Sequence, residues 1–439
     1  MEVALIDIKM PGDNKDFNGG FGTTFEIGRS FRTKLLKFAR RKLENVPTLS
    51  YAYVSAIFKS YGHHVNYYEN KEPEKDYNIA LLHVSLIRHE QELKMIKRLK
   101  EKKKKNSKIG VYGPLATVMP ELFNEADFVI VGEPEEAIIS ISKKGKSPIN
   151  KIVKSNPIDN LDSLPFLDYD IFNLGEFSFS PLIARKPGVF IHGSRGCPYT
   201  CSYCPYLIFG KYRYRKPEKI IEELKYLKKK HKIKSFYFRD PTFSVSKERI
   251  EKLSRLLIKE KLDLLWGCET RSDLLDEKLL KLMRKAGLVA VKIGVESANH
   301  DLLKRHKRIT PKIEHQEKII KVCKKLRIKV VAFYIIGIPT DTKESVLRTI
   351  KYSQKLNTSF ANFTICTPIP GTSFYKGIEN KIFDKNLNHY DNFHSVFHHD
   401  NLSTTEIYEL QDKAIREYYF RIRYFLRHLA DKINDISLK

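Results

Sequence analysis

Cys197, Cys201 and Cys204 fall within eight residues of one another in the stretch IHGSRGCPYTCSYCPY, Ile191–Tyr206, and make up half of the six cysteines in the chain. The spacing C-x3-C-x2-C, shaped by Gly196 and Pro198, brings three soft thiolates into one short loop. Thiolates in that arrangement suit zinc, copper or an iron–sulfur cluster. A closed structural zinc takes four ligands, whereas Cys268, Cys323 and Cys366 stand far along the chain without a paired CxxC. Two readings follow: a zinc knot with a remote fourth ligand, or a four-iron cluster with one iron left open to a small molecule. Six cysteines in 439 residues do not make a disulfide framework.

The elements that must carry this loop are legible as alternating apolar runs and amphipathic helices. The first 145 residues read as a doubly wound, Rossmann-like α/β domain. Its strands are VALIDI, HVNYY, IALLHV, KIGVYG and DFVIVG, with helices near 49–60, 90–105 and 135–143. Gly62 stands where a helix C-terminal cap belongs. A long insertion, Pro11 to Val46, follows the first strand and contains NGGFGTT, which lacks the spacing of a dinucleotide fingerprint and reads as a loop. A connector rich in Pro, Asp and Asn occupies 146–186. Between 187 and 378 six strands, GVFIHG, SFYFRD, DLLWGCE, AVKIGVE, KVVAFYIIG and FANFTICT, alternate with helices. Six is too few for a closed eight-stranded barrel, so a partial (β/α)6 barrel is expected, with its active face at the strand C-termini. A helical extension, 379–439, completes the organisation. Its last helix starts at a capping box, Ser403 to Glu406, and carries Ile407, Leu410, Ala414, Tyr418, Ile422, Phe425 and Leu429 on one face.

The cysteine segment resembles the radical S-adenosylmethionine (SAM) superfamily, and the resemblance continues through KIGVES, FYIIGIPTDT and CTPIPGTSFY. It implies a [4Fe–4S] cluster on Cys197, Cys201 and Cys204, with SAM on the open iron and a 5′-deoxyadenosyl radical as its product. Tyr203, just before the last cysteine, is implied to pack against the adenine, Glu296 and Ser297 to reach the ribose, and Gly337 and Pro339 to form the turn beside the adenine. Asp240 matches the second-strand position that helps hold the methionyl ammonium, although a proline follows it here. Arg271 has the planar fork suited to the methionyl carboxylate, or else forms a structural pair with Glu269.

Together with the preceding α/β domain, these motifs resemble the cobalamin-domain class of C-methyltransferases, the anaerobic porphyrin-ring cyclase and hopanoid-modifying enzymes. That class implies cobalamin on the first domain, with Ser85 and Gly113 as contacts. The lower-ligand motif Asp-x-His-x-x-Gly is absent, and DIKMPG places Lys9 where its histidine would stand. The function implied is radical C-methylation or ring modification of a small molecule or lipid, fed by an external one-electron donor of flavodoxin or ferredoxin type. Cobalamin-independent rearrangement or oxidation is the alternative. An RNA methylthiotransferase would need further cysteines in its N-terminal domain, and none precedes Cys197.

The formal net charge of +27, from 79 basic and 52 acidic side chains, creates a field that attracts polyanions without selecting among them. No nucleic-acid-reading module accompanies it, so no specific nucleic acid is expected. An anionic membrane surface is a candidate partner for the cationic, amphipathic last helix. No run of eighteen apolar residues or signal peptide is present, and a cytoplasmic location is expected. The histidine-rich segment NHYDNFHSVFHHD lacks a metal-ligand spacing and reads as a surface loop or substrate lid.

Overall fold

A computed structural model of the protein describes residues 1–24, 46–102, 104 and 106–436. Residues 25–45 of the expected insertion lie outside the described residues. Two all-parallel sheets organise the rest. The first contains β1 (Glu2–Asp7), β2 (His64–Glu69), β3 (Ile79–His83), β4 (Lys108–Tyr112), β5 (Phe128–Gly132) and β6 (Ile152–Ser155), in the order β2-β1-β3-β4-β5-β6. Its central strands are near-continuous apolar runs, as strands covered by helices on both faces must be. The strand order reverses between β1 and β3, which opens a crevice at their C-terminal ends. Strand β6 is an addition to the expected set. It lies in the Pro- and Asn-rich connector, where four residues between turn formers give a weak strand signal, and it forms by pairing with β5.

The second sheet contains β7 (Gly188–Ile191), β10 (Ser235–Phe238), β11 (Leu265–Thr270), β12 (Leu288–Glu296), β13 (Lys329–Ile336) and β14 (Phe360–Ile365), in the order β14-β13-β12-β11-β10-β7. The two-residue strands β8 (Ser194–Arg195) and β9 (Arg213–Tyr214) form a separate antiparallel ribbon. The order is sequential and the sheet stays open, as an incomplete barrel requires. Trp266, the one tryptophan, is fully buried among Phe236, Phe238 and Phe243, with its indole N–H donating to the Ala286 carbonyl at 2.8 Å. Burying apolar side chains of this size contributes roughly 1.5–3 kcal/mol each.

The last helix departs from the single element expected. The chain breaks at Phe420, giving helices Thr404–Tyr419 and Ile422–Ile436. The capping box forms, with Glu406 N donating to Ser403 Oγ at 3.2 Å and Ser403 N to Glu406 Oε2 at 2.9 Å. Ile407, Leu410, Ala414 and Tyr418 pack against β13 and β14, whereas Ile422, Phe425 and Leu429 stand exposed. Periodicity alone does not register that break.

The two sheets meet through ions. Glu133, just after β5, accepts from Arg195 Nη1 at 3.2 Å and from Arg213 in the β8/β9 ribbon, while Arg195 Nη2 reaches Glu135 Oε1 at 2.7 Å. All four side chains are at most 12% exposed. Removing one partner of such a buried network leaves uncompensated charge. Glu133→Ala is accordingly expected to destabilise the protein by about 3–5 kcal/mol, read as a fall in unfolding midpoint; an unchanged midpoint would show that the two guanidiniums are adequately solvated without it.

Candidate active site

The cysteine loop leaves the C-terminal end of β7 and is pinned at its base by the β8/β9 ribbon. Gly196 takes φ +73° there, and a side chain at this position would collide with the Lys211 carbonyl. Within the loop, Cys204 N donates to the Cys201 carbonyl at 3.0 Å, while Ser202 N donates to the His306 carbonyl at 3.0 Å and Phe374 N to the Ser202 carbonyl at 3.1 Å. The loop is thus tied to the segments that follow β12 and β14. Cys197, Cys201 and Cys204 all face one cavity of about 330 Å³, inside the open barrel at its C-terminal mouth.

The cavity has two unlike walls. Glu269 and Arg271 of the β11 end, Lys292 and Glu296 of β12, and Arg308 make one charged. Val331, Phe333 and Ile335 of β13, with Phe360, Asn362 and Thr364 of β14, make the other apolar or neutral. These are alternate residues on each strand, the inward-pointing set of a barrel. A register shift between Gly294 and Glu296 breaks the β12/β13 pairing, and Glu296 sits at φ +64°. That bulge re-aims the Glu296 carboxylate into the cavity at the cost of backbone strain. Gly294 leaves the room that these side chains take, since a Cβ there would displace the ends of Glu296 and Arg308.

Arg308, one cation within the run KRHKR, is a site residue that sequence reading passed over. Its Nη2 donates to the Gly294 carbonyl at 2.7 Å and lies 3.2 Å from Glu296 Oε1, and the guanidinium also hydrogen-bonds the Cys201 thiol. Nothing local distinguishes it from neighbouring surface lysines; only the fold of the post-β12 segment over the strand end brings it inside. Burial pushes the Cys201 thiol up despite Arg308, and pushes Cys204 up to about 12. Glu296 is also raised by burial, with Arg308 and Arg271 opposing.

Tyr203 and Arg271 join the cysteines and Glu296 on the cavity. The Tyr203 hydroxyl is buried with no hydrogen-bond partner, and burial holds its pKa well above the ordinary phenol value. Arg271 pairs with Asp273 at 2.8 and 3.0 Å, not with Glu269, which is taken by Arg239 at 2.9 Å. Arg271 Nη2 donates to the Ile309 carbonyl and its guanidinium stacks 4.0 Å from the Tyr199 ring, which leaves Nη1 buried without a partner. An orphaned guanidinium N–H beside three thiols, a buried carboxylate and a buried ring fits a zwitterionic amino acid carrying a nucleoside.

Other expected residues lie outside this cavity. The Asp240 carboxylate accepts from Gly193 N at 2.7 Å and Ser194 Oγ at 2.6 Å, with Arg249 3.8 Å away, so it holds the base of the cysteine loop and does not face the cavity. Pro241 and Thr242 line the cavity beside it, with Thr242 Oγ1 3.5 Å from Cys197 Sγ. Ser297 lies 3.2 Å from Thr349 Oγ1 and accepts from Asn299 N, turned toward the helices. Gly337 packs near Ile407, and Pro339 reaches the site only through its backbone bond to His306, whose ring lies 6.2 Å from Tyr203. Ser85 is consumed by Glu92, at 2.8 and 3.0 Å. Gly113 lines a second cleft of about 160 Å³ between the C-terminal edges of the two sheets. From the histidine segment, Asn392 and Phe393 close the first cavity. His389 and His394 pair with Asp384 at 2.6 Å and Asp391 at 3.0 Å.

If the three clustered thiols hold the metal, replacing Cys197, Cys201 and Cys204 together by alanine abolishes bound iron, whereas Cys268 and Cys323, buried in the core, and Cys366, buried but bordering the same cavity from the end of β14, are individually dispensable for it. Iron analysis after anaerobic reconstitution reads the difference; about four irons retained in the triple variant would overturn the assignment.

Residues 191–353 match the family model of the radical SAM superfamily. The chain is 31% identical over 344 residues to an uncharacterized methyltransferase of Pyrococcus horikoshii, covering 73% of this chain and 74% of the relative. It is 29% identical over 299 residues to the anaerobic magnesium-protoporphyrin IX monomethyl ester cyclase of Rubrivivax gelatinosus, covering 62% of this chain but only about half, 53%, of the cyclase. Among solved structures, the cobalamin-dependent S-adenosylmethionine radical enzyme OxsB superposes with a TM-score of 0.70 at 14% identity, covering 99% of this chain and 70% of that one. At that identity the superposition shows that the two chains share a fold. With a three-cysteine loop at the barrel mouth, and a relative above 30% identity across most of both chains, this protein belongs to the radical SAM superfamily, in the methyltransferase and cyclase group that joins a Rossmann-like domain to the barrel.

Proposed function

We propose that this enzyme cleaves SAM reductively and uses the resulting 5′-deoxyadenosyl radical to abstract hydrogen from an unactivated carbon of a small molecule or lipid, which then takes a methyl group that originates from a second SAM molecule or undergoes ring modification. The observation that carries this is one cavity bearing the three thiols, a partnerless buried guanidinium N–H and a strained, re-aimed carboxylate. Cys197, Cys201 and Cys204 would hold a [4Fe–4S] cluster, which would supply the one-electron reduction that splits SAM into methionine and a 5′-deoxyadenosyl radical, the electron being replaced by an external one-electron donor.

The chain's own residues bind and orient. Arg271 Nη1 offers a donor to the methionyl carboxylate, and Glu296 accepts from the ribose hydroxyls. Tyr203 presents its ring to the adenine. Arg308, held between Gly294, Glu296 and Cys201, offsets the negative charge that the thiolates bring to a closed site. The neutral wall of β13 and β14 is left for substrate, with Phe333 and Ile335 giving apolar contact and Asn362 a hydrogen-bonding amide. Exclusion of water there protects a carbon radical from side reactions.

Cobalamin is implied by the relatives, and the cleft between the sheets is where it would lie. Gly113, Gly132, His83 and His192 line that cleft, and Nδ1 of each imidazole is buried there without a partner; these residues would hold a bound corrin, and no step is derived through it. Among the described residues no helix is long and apolar enough to cross a membrane. Phe420, Ile422, Phe425, Leu426 and Leu429 form an exposed apolar face suited to resting on an anionic membrane surface.

Anaerobically reconstituted protein given SAM and a strong one-electron reductant is expected to release 5′-deoxyadenosine; cluster-loaded protein that releases none would refute the reading. Glu296→Gln keeps the size but removes the charge, and losing a charge-assisted hydrogen bond costs about 1.5–3 kcal/mol. SAM affinity measured by calorimetry should fall about tenfold or more, and unchanged affinity would make Glu296 a purely structural partner of Arg308.

A further inference from the structure

The cavity that the cysteines face does not end at the barrel mouth. It continues down the inside of the sheet to the first residue of β14, and the pairing register sorts its lining into rows. The lowest row sets Lys292, Val331 and Phe360 side by side on β12, β13 and β14. Above it stand Gly294, Phe333 and Asn362, and above these Ile335 with Thr364. Pro181 and Leu182 of the connector close the floor, where Lys329 at the start of β13 donates to the Pro181 carbonyl at 2.5 Å. From Phe360 to Thr364 the lining follows β14 for about 13 Å, at roughly 3.3 Å per residue.

Charge in this cavity is confined to one side and is already paired. Glu269 is held by Arg239 at 2.9 Å and by Lys292 at 3.7 Å, and the Lys292 ammonium also lies 4.2 Å from the Phe17 ring and 5.0 Å from the Tyr237 ring. Glu296 is held by Arg308, and Arg271 by Asp273 with one N–H left over. The side made by β13, β14 and the connector carries no charged side chain among the described residues. A charged group buried against it would lose its hydration and find no counter-charge, which is strongly unfavourable. The polar capacity that does remain is amide. Thr364 already donates to the Tyr334 carbonyl at 3.1 Å, but the half-buried Asn362 side chain has no hydrogen-bond partner among the described residues. Asn18 Nδ2, on the same lining, is buried without a partner.

We propose that this apolar half of the barrel is the substrate site, that it takes an uncharged, largely apolar molecule bearing one neutral polar group, and that Asn362 selects that group. The inference rests on the radical reading of the enzyme and narrows it: among small molecules and lipids, charged and phosphorylated ones are excluded from the channel. The apolar body lies against Phe360 and Leu182, which leaves the carbon nearest the mouth facing the side of the cavity that bears the thiols.

The test uses the full chain with its cluster loaded, and N-phenyl-1-naphthylamine, a neutral apolar ring compound, as a fluorescent reporter of the channel. Competitors share one octyl chain and differ in the head: 1-octanol, 1-chlorooctane, octanoate and octylamine. Wild type should bind one equivalent of reporter, and 1-octanol should displace it at a concentration at least about tenfold below either charged chain and about fivefold below 1-chlorooctane. Asn362→Leu, of similar volume, should lose the preference for the alcohol over the chloride. Asn362→Trp, which fills the channel at mid-depth, should lose the reporter site; if it does not fold, Asn362→Leu decides the matter. Absence of reporter binding in wild type, displacement by the charged chains as effective as by 1-octanol, an alcohol preference kept in Asn362→Leu, or a reporter site kept in folded Asn362→Trp would each overturn the proposal. Release of 5′-deoxyadenosine by wild type, assayed without these ligands, reports separately on the radical reading, so failure of the channel and failure of that reading are distinguishable.

Discussion

All strands in each of the two six-stranded sheets run parallel, and this one constraint places every loop that follows such a strand at the same edge. Parallel strands need crossover connections, which are right-handed and return the chain to the opposite edge each time. Residues from Cys197 to Phe393, distant in the chain, therefore converge at the mouth of the barrel. The two sheets present these C-terminal edges to each other. The short β8/β9 ribbon secures that approach, because Arg195 and Arg213 reach across to Glu133 and Glu135. Without this contact the cysteine loop would lose both its base and its neighbour.

The large positive charge divides into two populations once the fold is known. Most lysines stand on exposed helix faces, where their pairs with Glu and Asp contribute little. A small set of cations is buried around the two cavities instead: Lys15, Arg195, Arg239, Arg271 and Arg308. Each is held by a carboxylate, a backbone carbonyl or an aromatic face, as burial of a charge demands. Arg239 combines all three, with Glu269, the Asp16 carbonyl and the Phe17 ring, and so ties the segment after β1 to the barrel. The site is thus pre-formed by ion pairs, with Arg271 Nη1 and the Tyr203 hydroxyl left unsatisfied. Unmade hydrogen bonds in a closed space are costly, and a ligand that completes them recovers that cost.

Strain marks the same place. Glu296 holds a left-handed backbone at the end of a nine-residue strand, and a bulge precedes it. Such a conformation persists only where its surroundings over-determine it. Arg308 supplies that determination from one side and Gly294 makes room from the other.

The sequence by itself determined the local and periodic features. Apolar runs of strand length between helical patterns located both series of strands apart from β6 and the short β8/β9 ribbon, and three thiols in eight residues picked out a loop that lines the cavity, because these signals are carried by neighbours in the chain. Tertiary structure alone decided which polar residues share a cavity. Asp240, Ser297 and Ser85 have the right types in the right motifs, yet their oxygens are consumed by Ser194, Thr349 and Glu92. Arg308 has no distinguishing neighbours in sequence and becomes central only because its segment folds under the β12 end. The glycine-rich stretch after β1 reads as an ordinary loop until Lys15 is seen between two buried carboxylates. Hydrophobic periodicity reports burial along one element; the pairing of a buried charge depends on which distant element lies opposite, and that is a property of the folded chain.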